Sequence, residues 1–220
     1  VVYYAAHGGA VAGFANNMNI ANSTFSYGST RDTYEDTEGY GCSGVSIYWI
    51  GGDNLKVSNS TFYENQAHAN GGFIAAVDCD NAVLYNLSFK GVMALDCGGA
   101  IYWANSTNLT IISNEFEDVA AAFGGGAIYF YKVPTRIINS TFNHTQAPWG
   151  LGGAIYAHAD VEIINSTFER YSSSGDGAAL YFDRETSQVT NCTFDGVNPV
   201  LIGQGATSFL TRNNVTNSYT

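Results

Sequence analysis

Asp53, Asp78 and Asp80 are the first residues whose types and spacing suggest chemistry. In "GGDN" and "DCDN" two carboxylates take matching places 27 residues apart, with a third beside them. Hard cations such as calcium are held by converging oxygens of this kind. The competing account, a polar turn repeated by duplication, needs no ion and is preferred, so no metal or cofactor is expected. Cleavage of a polysaccharide would ask for more: an acid and a base on one face, often with a cation and an Arg or Lys. Lys56 lies on the stretch after the Asp53 turn, and neither an Asn-Thr-Asp, an Asp-Asp nor a Gly-His-Gly set occurs. The chain is therefore read as a non-enzyme.

The other reactive groups are scattered. His7, His68, His144 and His158 share no metal-ligand spacing. Cys42, Cys79, Cys97 and Cys192 permit disulfides without defining a framework. Cys192 falls on a position that is Ser or Leu elsewhere and reads as a buried thiol, whereas one pair among Cys42, Cys79 and Cys97 could bond. Residues 26–42 carry Asp32, Glu35, Asp36 and Glu38 in an acidic insertion that reads as a solvated turn.

Ten Asn-x-Ser/Thr triplets occur. Six recur at one repeat position, Asn22, Asn59, Asn86, Asn139, Asn165 and Asn191, and are expected to stack as a structural asparagine ladder closed to modification. Asn105, Asn108, Asn143 and Asn214 lie off it and are the expected glycosylation sites of a secreted or surface protein.

These residues are placed by a repeat. Phe62, Phe89, Phe116, Phe142, Phe168 and Phe194 are 26 or 27 residues apart, and Phe73, Ala100, Ala127 and Ala154, each after a Gly pair, are 27 apart. The recurring pieces, such as "AIYWA", "GAIYFY" and "RIINSTF", are short, β-branched and aromatic, with no 3.6-residue periodicity. They predict an all-β, single-stranded right-handed parallel β-helix over residues 1–220, of about eight rungs and three strands per rung.

Period-two alternation assigns the faces. Ile47, Ile74, Ile101, Ile128, Ile155 and Leu180 point inward, as do the residues two further on. Between them Tyr48, Tyr102, Tyr129, Tyr156 and Tyr181, with Tyr131, are expected to form an exposed interaction face, flanked by outward-facing Ala100, Ala127 and Ala154. Val57, Leu84, Ile111, Ile137, Ile163 and Val189 precede the Phe by an odd interval, so the chain must bend between two inward positions. Asn at the bend tolerates the left-handed backbone.

With that pattern in place, the bend-plus-strand unit resembles the pectate-lyase-like right-handed β-helices. "GGAI" at 98–101, 125–128 and 152–155, paired with Phe-containing units and with Phe14 to Asn17 and Phe62 to Asn65, resembles the repeats of polymorphic outer membrane proteins. That second resemblance implies a surface-displayed adhesive passenger.

Composition agrees with an exterior role. Eight Lys and Arg face nineteen Asp and Glu for a net charge of −11, which excludes the basic footprint that nucleic acid requires. No apolar run is long enough for a transmembrane segment. The expected function is an extracellular or cell-surface structural or adhesive solenoid, part of a longer chain or of a filament. Its expected partners are copies of itself, lateral or end to end, or other surface proteins; glycans are the alternative.

Overall fold

The computed structural model describes residues 10–29, 44–183, 186–196, 201–204 and 207–216. His7, Cys42 and the acidic residues Asp32, Glu35, Asp36 and Glu38 lie outside the described residues, as does most of the 26–42 insertion.

Every paired strand runs parallel to its neighbour from the next repeat, so the chain stacks rung on rung. The first wall is an eight-stranded sheet that includes Ile47–Ile50, Ile74–Val77, Ile101–Ala104, Ile128–Tyr131, Ile155–His158 and Leu180–Asp183. The second and third walls form one bent sheet of fifteen strands. Its two arms are represented by Leu109–Ile112 with Thr135–Ile138 and by Glu115–Ala121 with Thr141–Ala147. In two rungs the arms fuse through the bend into Lys56–Ala67 and Ala82–Ala94. Pairing keeps the repeat position: Phe25 meets Phe62, Phe62 meets Phe89, and the register holds to Phe194 against Val215.

The core is the lumen. The branched residues from Ile47 to Leu180 and the series from Val57 to Val189 are fully buried. Phe25 to Phe194 stack face to face, with ring centroids 4.6 to 4.9 Å apart. The expected bend is present: Asn22, Asn59, Asn86, Asn139, Asn165 and Asn191 all have φ between 50 and 54°, and Ser113 keeps the same conformation at 56°. A left-handed residue turns the odd interval into two inward positions.

The ladder differs from expectation in which residue builds it. The bend asparagines lie on the outer surface, exposed. Hydrogen bonds between their amides run only from Asn86 to Asn59, 2.9 Å, and from Asn191 to Asn165, 2.8 Å. The buried polar ladder is made by the next residue, which points inward. The backbone N–H of Leu87 donates to Asn114 Oδ1, that of Asn114 to Ser140 Oγ, that of Ser140 to Ser166 Oγ, that of Ser166 to Cys192 Sγ and that of Cys192 to Asn213 Oδ1. A bend leaves an N–H without a strand partner, and a buried N–H must be answered. One side chain supplies the acceptor in each of these rungs except that of Leu87, which has none to offer.

The Gly pair closes each rung. Gly71, Gly98, Gly125, Gly152 and Gly177 hold φ between 59 and 72°. Gly99 and Gly126, which follow, have no room for a side chain, since a Cβ there would lie 2.0 Å from the carbonyl oxygen of the next rung's glycine; after Gly177 the place is taken by Ala178.

Ala100, Ala127 and Ala154 correct the face assignment: they are fully buried in the lumen. The cause is a shared acceptor after the glycines. Ala127 O accepts from both Ala100 N and Ile101 N, and Ala154 O from both Ala127 N and Ile128 N. The rungs stay in one-to-one register, but one carbonyl answers two successive N–H groups, so the chain turns here instead of continuing the pleat and two successive side chains point inward.

Candidate functional site

Outside the first wall a second aromatic column runs parallel to the phenylalanines. Tyr102 stacks on Tyr129 at 5.4 Å, Tyr129 on Tyr156 at 4.7 Å and Tyr156 on Tyr181 at 5.1 Å. Beside it Tyr131 stacks on His158 at 5.2 Å, and the Lys132 ammonium sits 5.0 Å from the Tyr131 ring centre. Parallel register places these rings, because residues directly opposite in adjacent rungs carry side chains in the same direction about 4.8 Å apart.

The face is narrower than the sequence suggested. Tyr48 and Tyr102 are only 8% exposed and Tyr181 3%, while Tyr129, Tyr131 and Tyr156 are half-buried. The turns that lead into the Gly pairs fold over the column. Cys97 packs with Tyr102 and Tyr129, and a Cβ on Gly124 would lie within 3.7 Å of the Tyr129 and Tyr156 rings. Burial and the neighbouring Cys97 push the Tyr129 phenol well up. Burial and Asp183 push that of Tyr156 up to about 12.

What the tyrosines lose in exposure the covering turn regains. Leu95, Phe123 and Trp149 stand on the same turn of three successive rungs, and Phe123 is 56% and Trp149 66% exposed, their rings 6.2 Å apart. Asp96 precedes Phe123 in the turn column, since Phe123 N donates to Asp96 O. On the turns that cover the tyrosine column, these side chains form an aromatic ridge along the solenoid axis. Large exposed rings grouped in this way mark interaction surfaces.

Polar groups lie at its flank. His158 Nδ1 is 3.1 Å from Asp183 Oδ2, and the Tyr156 hydroxyl donates to the same oxygen at 3.4 Å. The carboxylate fixes the imidazole and the phenol in place, which orders the wall and offers hydrogen-bonding groups to a ligand.

The other sequence candidates fall elsewhere. Asp53 and Asp80 pair as a bridge in the turn between the first and second walls, where Asp80 accepts the Thr107 N–H and Asp53 N donates to Asn16. Asp78 occupies the left-handed strand end at φ 53°. These are the contacts of a polar turn, and among the described residues no group of three His, Cys, Asp or Glu is placed to hold a metal. Cys79, Cys97 and Cys192 are free thiols, so Cys79 and Cys97 do not pair, and Cys192 is buried as expected. Burial pushes the Cys79 thiol up to about 11. A groove of about 430 Å³ on the second wall, between Thr110, Pro134, Arg136 and Gln188, is crossed by the Arg136–Glu162 ion pair. No helix among the described residues is long and apolar enough to cross a membrane.

The solenoid defines the class: parallel coils with three strands per rung and a filled lumen. The chain belongs to the right-handed β-helix family, whose model, described as a right handed beta helix region, matches residues 2–168. Searches of curated proteins and of solved structures found no match. The family includes no single chemistry, so function rests on the surface.

Proposed function

We propose that this chain is an extracellular or cell-surface adhesive solenoid without a catalytic role, and that the aromatic ridge is its contact surface. One observation carries the reading: Phe123 and Trp149, with Leu95 beside them, expose large apolar area on successive rungs, on the turns that cover Tyr129 and Tyr156. Removing such area from water is the principal gain of association. The resemblance to polymorphic outer membrane protein repeats supports a place on the outer surface. The partner is another copy packed laterally along the ridge or a second surface protein. Glycan binding is the second reading, favoured by the Asp183, His158 and Tyr156 polar groups flanking stacked rings.

The test is the double variant Phe123→Ser with Trp149→Ser. Both side chains are mostly exposed, so the melting temperature should hold while self-assembly measured by light scattering falls to the monomer. Unchanged assembly and unchanged surface adhesion would remove the proposal. Unchanged assembly with lost retention on immobilised polysaccharide would transfer the ridge to the glycan reading.

A further inference from the structure

The bend asparagines were expected to be closed to modification because their amides would be consumed in a stack. The geometry points to the opposite at one of them: we infer that Asn139 is a site of N-linked glycosylation. This inference rests on the extracellular reading above.

Three observations select it. Asn139 is exposed on the outside of the bend with Thr141, the hydroxyl residue of its Asn-Ser-Thr triplet, exposed on the same side. Its neighbour in the preceding rung is Ser113, which keeps the bend conformation at φ 56° but lacks an amide. In the following rung Asn165 Oδ1 already accepts from Asn191. The Asn139 side chain thus makes no hydrogen bond with any described residue, and its Nδ2 is left to solvent.

Asn22 and Asn214 are exposed in the same way, but among the rungs between them the other acceptors compare poorly. Nδ2 of Asn86, Asn108 and Asn191 donates to Asn59, Asn81 and Asn165. Asn143 Oδ1 accepts from Arg170 at 2.9 Å, and the hydroxyl residue of its triplet, Thr145, is fully buried. Asn105 is half-buried at a left-handed strand end. A transferase competes with rung stacking for each amide, and an amide with no partner in either adjacent rung, as at Asn139, stays available longest.

The transfer takes its sugar from a lipid-linked pyrophosphate oligosaccharide. Asn139 Nδ2 forms a bond to the anomeric carbon, the bond from that carbon to the pyrophosphate oxygen breaks, and one amide proton leaves with the pyrophosphate. The glycan then projects from the vertex between the second and third walls, whereas the aromatic ridge occupies the vertex between the third and first. Rungs lie about 4.8 Å apart, too close for bulky glycans on neighbours, so occupancy of Asn139 excludes Asn165 in the same molecule.

Secretion of the chain from a eukaryotic cell, followed by peptide-N-glycosidase in heavy-oxygen water and peptide mapping, tests this. Asn139 should carry the label in most molecules, and Asn86 and Asn191 in few. The variant Ser113→Asn supplies the missing acceptor and should lower Asn139 occupancy at least twofold. An unlabelled Asn139, or labelling unchanged by Ser113→Asn, overturns the inference. Either failure leaves the adhesive reading to its own light-scattering test.

Discussion

The molecule carries two aromatic columns built by the same repeat on opposite sides of one coil, and their difference separates what holds the solenoid together from what it can offer a partner. The phenylalanines from Phe62 to Phe168 are fully buried in the lumen with near-parallel rings. The tyrosines from Tyr102 to Tyr181 stack at similar separations, yet outside the first wall and beneath turns that cover them unevenly. Register alone produces both columns. Only the inner one is closed on every side, by side chains from all three walls, so only the inner one is committed wholly to stability.

Truncating one ring in each column breaks the comparison most sharply. Phe142→Ala removes a ring stacked 4.6 Å from Phe116 and 4.7 Å from Phe168 and leaves a void that rigid rungs cannot collapse. A loss of about 3–5 kcal/mol is expected in denaturant unfolding. Tyr129→Ala, at a half-buried outer position, should cost well under half as much, because solvent and the covering turn can fill the space. Equal losses would mean that the outer column is as much core as the inner.

How far this contrast was legible follows from what repeats. Phe, the branched inward residue and the bend Asn recur at fixed intervals, so the period, the strands, the lumen and the bend could be read directly. Ala100, Ala127 and Ala154 recur just as faithfully, but alternation puts them on the wrong side, because it assumes a continuous pleat and the turn at which Ala127 O and Ala154 O each accept two N–H groups breaks it. The ridge left no periodic signal at all. In this turn Phe123 stands opposite Asp96 and Gly150, and Trp149 opposite Ala122, and comparison of repeats registers constant positions while passing over variable ones. An apolar residue at a variable turn position is the signal that was available. The inner ladder was hidden for a related reason: Ser, Asn and Cys differ in type yet share an inward acceptor atom.

The outer column should also announce itself by pH, with a smaller effect than truncation. Burial and then Asp183 raise the Tyr156 phenol from 10.0 to about 12, and inside the lumen burial followed by Asp195 raises Tyr171 to a similar value. A folded pKa above the unfolded one means that the native state prefers the neutral phenol. The corresponding stability is complete below pH 10 and is lost as pH rises through about 12. Thermal melting followed from pH 9 to 12 should show a decline above about pH 10, diminished in Tyr156→Phe, which keeps the ring and removes the titrating group. An identical decline in that variant would place the alkaline sensitivity elsewhere.

The least effect is expected at Cys192, and its smallness is informative. Its thiol occupies the inward place that Ser140 and Ser166 fill in earlier rungs, accepts the Ser166 N–H at 3.5 Å and donates to Thr190 O at 3.3 Å. If the buried ladder requires an acceptor and not a particular residue, Cys192→Ser should change stability by less than about 1 kcal/mol, since a hydroxyl makes the same pair of contacts over shorter distances. Cys192→Ala removes the acceptor, leaves the buried Ser166 N–H unanswered and should cost about 1–3 kcal/mol. Equal stability of the Ser and Ala variants in denaturant unfolding would show that the thiol serves only as volume. The ladder would then be a consequence of the bend and not a support for it.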